Sequence, residues 1–158
     1  MGEIQRYRER VEASLRDLAA LQPAGWHNLG PPDPETGERW DSRNVLGHMA
    51  EMLPYWTGQV RAVLGGATWL GRDEQGYRQR RTAIDRGREA GEEELRTGAG
   101  AGMTGLLGLL ADVRDEDLDR KLSYRSRHGE QEVELRYVFE ELLVGHVEAH
   151  LAQLRELA

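Results

Sequence analysis

Leu143-Val144-Gly145-His146-Val147-Glu148-Ala149-His150-Leu151-Ala152-Gln153-Leu154 is the stretch on which the reading of this chain turns. Apolar residues recur at threes and fours through it and its flanks, which marks one buried face of a helix. At about 100° per residue, with Phe139 at the origin, Leu135, Leu142, Leu143, Leu154 and Leu157 all fall within about 60°. His146 and His150 fall within about 20° of the same line, and Glu141 and Glu148 lie roughly opposite, toward water.

Two histidines at the centre of a core stripe need an account. A buried imidazole has two ring nitrogens to satisfy, and burying it charged is costly. Spacing i, i+4 sets both rings on one face a turn apart, which suits two adjacent ligands of one metal ion. A hydrogen-bonded pair of core histidines, or a pair at a groove, fits the same pattern.

A second segment tips that balance. Over Val45 to Val63, with Val45 at the origin, Met49, Met52, Trp56 and Val60 lie within about 60°. His48 falls about 60° to one side, at the edge of the stripe but turned inward. A third inward histidine on a facing helix completes a three-ligand set, and bundle cores build metal sites in this way. Imidazoles suit zinc, nickel, iron or copper. Three protein ligands leave positions open for water or substrate, the pattern of a reactive site. The edge position of His48 predicts a site in a groove between these two helices, not deep in the core.

The string His146-Val147-Glu148-Ala149-His150 is not a zinc-protease motif. That motif needs Glu directly after the first His, as general base, and Val147 stands there. His27 and His128 fall in or near loops and read as surface residues. Glu51, three residues after His48, reads as a solvated helix-edge glutamate or as a group that orients a ligand. Tyr55, on the same side as His48, lines a pocket or packs; Trp56 and the Met49–Met52 stripe read as core. The sequence names no catalytic acid, base or nucleophile, and no phosphate-binding glycine loop follows a strand.

Working outward, four main helices are expected. The first runs from about Glu3 to Leu21 and is stopped by Pro23 and Gly25. A proline-rich loop leads to the second, capped by Asp41 or Ser42 and running to about Leu64, with Pro54 inside it and expected to bend it. Residues 65–90 are polar and arginine-rich and predict a loop with some helix. The arginines of 72–88 interleave with acids and read as a solvated mixed-charge surface. The third helix spans about Glu92 to Val113. Its five glycines between Gly98 and Gly108 mark either a close approach by a neighbour or a break. Residues 115–132 connect, with a turn at His128-Gly129, and the last helix runs from about Gln131 to Leu157.

With 158 residues and no linker or repeat, the expectation is one domain over 1–158. The absence of cysteine excludes disulfides, thiolate ligands and a cysteine nucleophile, and fits a reducing cytoplasm. No run is long enough to span a membrane, and the opening Met-Gly-Glu-Ile-Gln-Arg lacks the apolar segment of a signal peptide. A net charge of −7 gives no basic footprint for nucleic acid.

Trp40-Asp41-Ser42-Arg43-Asn44-Val45-Leu46-Gly47-His48, with the opening stretch above, resembles the DinB-like (YfiT-like) superfamily, which includes the N-domain of mycothiol-dependent maleylpyruvate isomerase. Asp117-Leu118 followed by Gly129 is similar to the approach to that family's last helix. The resemblance spans most of the chain and is specific in the two histidine segments. It implies an all-α four-helix bundle, a divalent metal (zinc or nickel) held by His48, His146 and His150, and a homodimer. It also implies a small-molecule substrate, with a low-molecular-weight thiol as co-substrate in a thiol S-transferase or isomerase, or hydrolysis at the metal. The arginines near 78–88 would then hold an anionic cofactor or substrate. A non-catalytic metal-binding stress-response bundle is the alternative.

Overall fold

The computed structural model describes residues 1–22, 25–34 and 36–157. It is mostly helical, with a small three-stranded sheet. Helix α1 covers Glu3–Ala20, α2 Ser42–Leu64, α3 Glu74–Arg86 and α4 Glu92–Ala111. The last helical run has three parts: α5 (Leu135–Tyr137), a π-helical segment (Val138–Leu143) and α6 (Val144–Leu157). Helix α2 packs on α4, α3 and α6, and α1 packs on α4 and α6. No helix is long and apolar enough to cross a membrane among the described residues.

Helices α1 and α2 bury the stripes their sequence predicts. Ile4, Tyr7, Val11 and Leu18 of α1 are buried, and Tyr7 stacks on Phe139 at 5.5 Å between ring centres. Helix α1 ends at Ala20; Pro23, its expected stop, lies outside the described residues. Asp41 is the N-cap of α2. Its carboxylate accepts from the N–H groups of Arg43 and Asn44 at 2.9 and 3.3 Å, and the Asn44 side chain accepts from Asp41 N–H at 3.0 Å. This reciprocal box satisfies donors that a helix start leaves bare. Helix α2 then runs unbroken through Pro54.

The glycine-rich third helix does not break. Two of its glycines face α2, where a Cβ at Gly98 would crowd Ala50 and one at Gly102 would crowd Leu53; Gly100, Gly105 and Gly108 face open space. Close approach is therefore the reading that applies, at two of the five positions.

Three expectations need correction. Residues 65–90 hold a strand, β1 (Trp69–Gly71), and a full helix, α3, where a loop with some helix was expected. Residues 121–134 form two more strands, β2 (Lys121–Ser126) and β3 (Gly129–Glu134), so the fold is not purely α-helical. The last helix accordingly starts at Leu135 and not at Gln131. Strand β1 runs parallel to β2, and β2 pairs antiparallel with β3 about a turn at Arg127-His128, with Gly129 following at φ 111°. Leu122 is buried on β2, but β3 has no buried residue. A strand that buries almost nothing leaves little apolar alternation to read.

Candidate metal centre

The π-helical segment decides where two of the three histidines point. Such a turn takes up one extra residue, so everything beyond it lags by about 100° relative to a regular helix. Val147 and Leu151 thereby move to within about 20° of the core line set by Phe139, and His146 and His150 move about 100° off their expected places to its flank. Burial agrees: Val144, Val147, Leu151 and Leu154 are buried core, while His146 is half-buried. Gly145 makes the turn possible, because a Cβ there would collide with the carbonyl oxygen of Glu140. The same shift brings Glu148 round to α1. There Arg10 donates to it and to Glu140, the latter at 2.8 Å, so Glu148 does not simply face water.

On α2, His48 occupies the edge position the wheel predicts, yet it is the deepest of the three at 2% exposure, against 9% for His150. The rotated last helix supplies the cover that places it there. One potential ligand nitrogen from each of His48, His146 and His150 lies within 4.8 Å of the other two. Ring centres are 4.5 Å apart for His146 and His150, 4.9 Å for His48 and His150, and 5.5 Å for His48 and His146.

The hydrogen bonding is incomplete in an informative way. His150 Nδ1 lies 2.9 Å from Gln153 Oε1. An amide oxygen only accepts, so Nδ1 carries the proton and Nε2 keeps its lone pair. Among the described residues that buried Nε2 has no partner, and neither ring nitrogen of His48 has one. A buried, unpaired polar group costs about 1–3 kcal/mol. In a tetrahedral site metal–nitrogen bonds of about 2.1 Å put neighbouring ligands about 3.4 Å apart, so rings whose nitrogens lie within 4.8 Å would close by up to about 1.4 Å to share one ion. The orphaned nitrogens, the donor chemistry and the Gln153 support all fit a divalent metal.

The surroundings hold the imidazoles neutral. Burial pushes the pKa of His48 well below its ordinary value, with His150, Arg80, His146 and Arg72 adding to the effect. His146 falls to about 3, first through burial and then through His150 and Arg80, against a backbone hydrogen bond at Glu141. His150 is lowered by burial, with Gln153 opposing. Neutral imidazoles are the form that binds metal, so protons compete weakly here.

The other expected residues sort cleanly. Glu51 is not a solvated helix-edge glutamate: it takes both arms of buried Arg72, at 2.7 and 2.8 Å. Tyr55 donates to Gly71 O at 2.6 Å and lies beneath the Arg72 guanidinium, 4.0 Å from its ring centre, so it supports Arg72. Trp56 is core. His27 and His128 are exposed and away from the cluster.

Two further residues stand at the site: Trp40, which the sequence offered only as the head of the resembling segment, and Arg80, which it offered only among the arginines near 78–88. Trp40 lies edge-on to His48 at 5.5 Å and stacked on His150 at 6.4 Å. Arg80, on α3, sits 5.7 Å from the Trp40 ring centre and acts electrostatically on all three imidazoles. Trp40 directly before the helix cap was the signal available for the first; nothing separated Arg80 from its neighbouring arginines. Helix α3 is held against α2 by Asn44, whose amide donates to Ile84 O at 2.7 Å.

No family model matches the chain, and no curated protein and no solved structure matches it.

Proposed function

We propose that this protein binds one divalent metal ion through His48, His146 and His150 and acts as a metal-dependent enzyme on a small molecule. The observation that carries the reading is the convergence of three neutral imidazoles whose buried nitrogens, both of His48 and Nε2 of His150, have no partner among the described residues. A bound divalent ion supplies Lewis acidity at its open positions, which favours the thiolate of a thiol or activates water. The chain's own residues do the rest. Gln153 fixes the His150 tautomer, Trp40 closes one side of the cluster, and Arg80 keeps positive charge beside it. Zinc and nickel suit the donor set equally.

The reading extends to the class suggested by the sequence: a DinB-like four-helix bundle formed by α1, α2, α4 and α6, a homodimer in the cytoplasm, and transfer or isomerisation with a low-molecular-weight thiol, or hydrolysis. The ring of contacts from α1 to α4 to α2 to α6 and back to α1 supports the bundle. Metal analysis of the wild type and His150→Ala tests the centre. Near-stoichiometric metal is expected in the first and not in the second; equal metal in both refutes the site. Incubating metal-loaded protein with a bacterial thiol and an electrophile tests the chemistry. Conjugate is expected, and its absence with every thiol, when metal still stabilises the fold, favours the non-catalytic bundle.

A further inference from the structure

Beside the histidine cluster lies a cleft of about 620 Å³, with Trp40, Tyr77, Arg80, Tyr124, Arg127 and Tyr137 among its walls. That volume falls within the usual range for small-molecule sites. Its charge is uneven. Arg81 pairs with Glu38, and Arg78 lies 3.9 Å from Glu74. Asp33, at the rim, accepts from Thr36 in its own turn. Arg80 and Arg127 differ. Each lies over an aromatic ring, Arg80 on Trp40 and Arg127 on Tyr77 at 3.9 Å, and neither has an ion pair among the described residues. They also repel one another, and Arg80 is partly buried and further repelled by Arg72, whose own charge is met by Glu51. Arg80 is half-buried beside exposed Arg127, and a half-buried cation with no ion pair is one that an incoming anion would meet.

We propose that this cleft is the substrate pocket of the metal centre and takes a small organic anion, with a carboxylate or phosphate head between Arg80 and Arg127 and a flat body against the aromatic walls. The proposal rests on the metal reading for its meaning, but the binding step does not need the metal. Guanidinium groups pair with planar oxyanions in a fork geometry. Rings of Tyr and Trp favour flat apolar groups. Trp40 touches both the cleft and two of the three histidines, so an anion held at Arg80 sits next to the cluster.

Calorimetric titration with benzoate, phenyl phosphate, inorganic phosphate and benzyl alcohol tests this, on zinc-loaded and on chelator-treated protein. At least one of benzoate and phenyl phosphate should bind with and without zinc, and the tighter of the two identifies the head. Benzyl alcohol should bind at least tenfold more weakly. Arg80→Gln should weaken the preferred anion at least tenfold while leaving zinc content unchanged, and Arg127→Gln should repeat the loss should the first variant fail to fold. No binding of either aromatic anion to folded wild type overturns the proposal. So does equal binding by both folded variants. Inorganic phosphate binding as tightly as phenyl phosphate overturns the flat body. Zinc content is read separately, so loss of the metal site and loss of the anion site are told apart.

Discussion

Replacing His48 with leucine should stabilise the metal-free protein and lose most or all of that advantage when metal is present. His48 is 2% exposed, and neither ring nitrogen finds a partner among the described residues. Each unsatisfied buried group costs about 1–3 kcal/mol. Leucine is close in volume and removes both, at a shape penalty of about 1 kcal/mol. In chelator the variant should therefore be more stable than wild type by about 1–5 kcal/mol. With free zinc at about 100 times its dissociation constant, wild type gains about 2.7 kcal/mol. The variant, short of one ligand of three, loses most of that gain. Urea unfolding followed by far-ultraviolet circular dichroism, with and without zinc, measures all four states. If leucine destabilises the protein by the same margin in both conditions, His48 is an ordinary core residue and the reasoning from its orphaned nitrogens fails.

Other perturbations probe the support of the centre. Gln153→Leu removes the acceptor that fixes the His150 tautomer, and should weaken zinc binding by about 10- to 100-fold in a competition titration with little change in fold; unchanged affinity would contradict that role. Gly145→Ala forces a methyl against the Glu140 carbonyl and should cost about 1–3 kcal/mol in chemical denaturation together with metal affinity, whereas a neutral result would show that the turn tolerates the side chain. Acid should destabilise the metal-free protein. The three histidines are depressed in the folded state, His146 to about 3, while the unfolded chain titrates near about 6.5. Their contribution is full above about pH 6.5 and falls as pH drops, by at most about 1.4 kcal/mol per pH unit for each imidazole that stays neutral. A flat stability profile between about pH 7.5 and 5.5 would refute the depression.

Helix existence was legible wherever a helix buries a periodic stripe. Helix α1, α2 from its cap to Leu64, and α4 follow the sequence closely because Val11, Val45, Met49 and Leu106 sit where the period puts them. Strands β2 and β3 were not legible, because Lys121–Ser126 and Gly129–Glu134 bury little beyond Leu122. The three histidines were found through a wheel that was right about their inward side and wrong about their depth. A regular 3.6-residue period has no place for a π turn, and only the clash that forbids a side chain at Gly145 betrays it. Arg80 was legible only as one of the arginines near 78–88 expected to hold an anion; what sets it apart is its lack of an ion pair among the described residues, and pairing is a property of three dimensions.

The π turn has a meaning in genetic terms. It is equivalent to one codon inserted into the stretch that encodes the last helix. Removing any one residue from 138–143 would restore a continuous α-helix of ordinary pitch. Such a deletion would swing His146 and His150 back to the core line and carry Glu148 away from Arg10. The chain would keep all three histidines and lose their meeting point. Three histidines alone therefore do not make this centre; the length of the interval between Leu135 and His146 must bring them together.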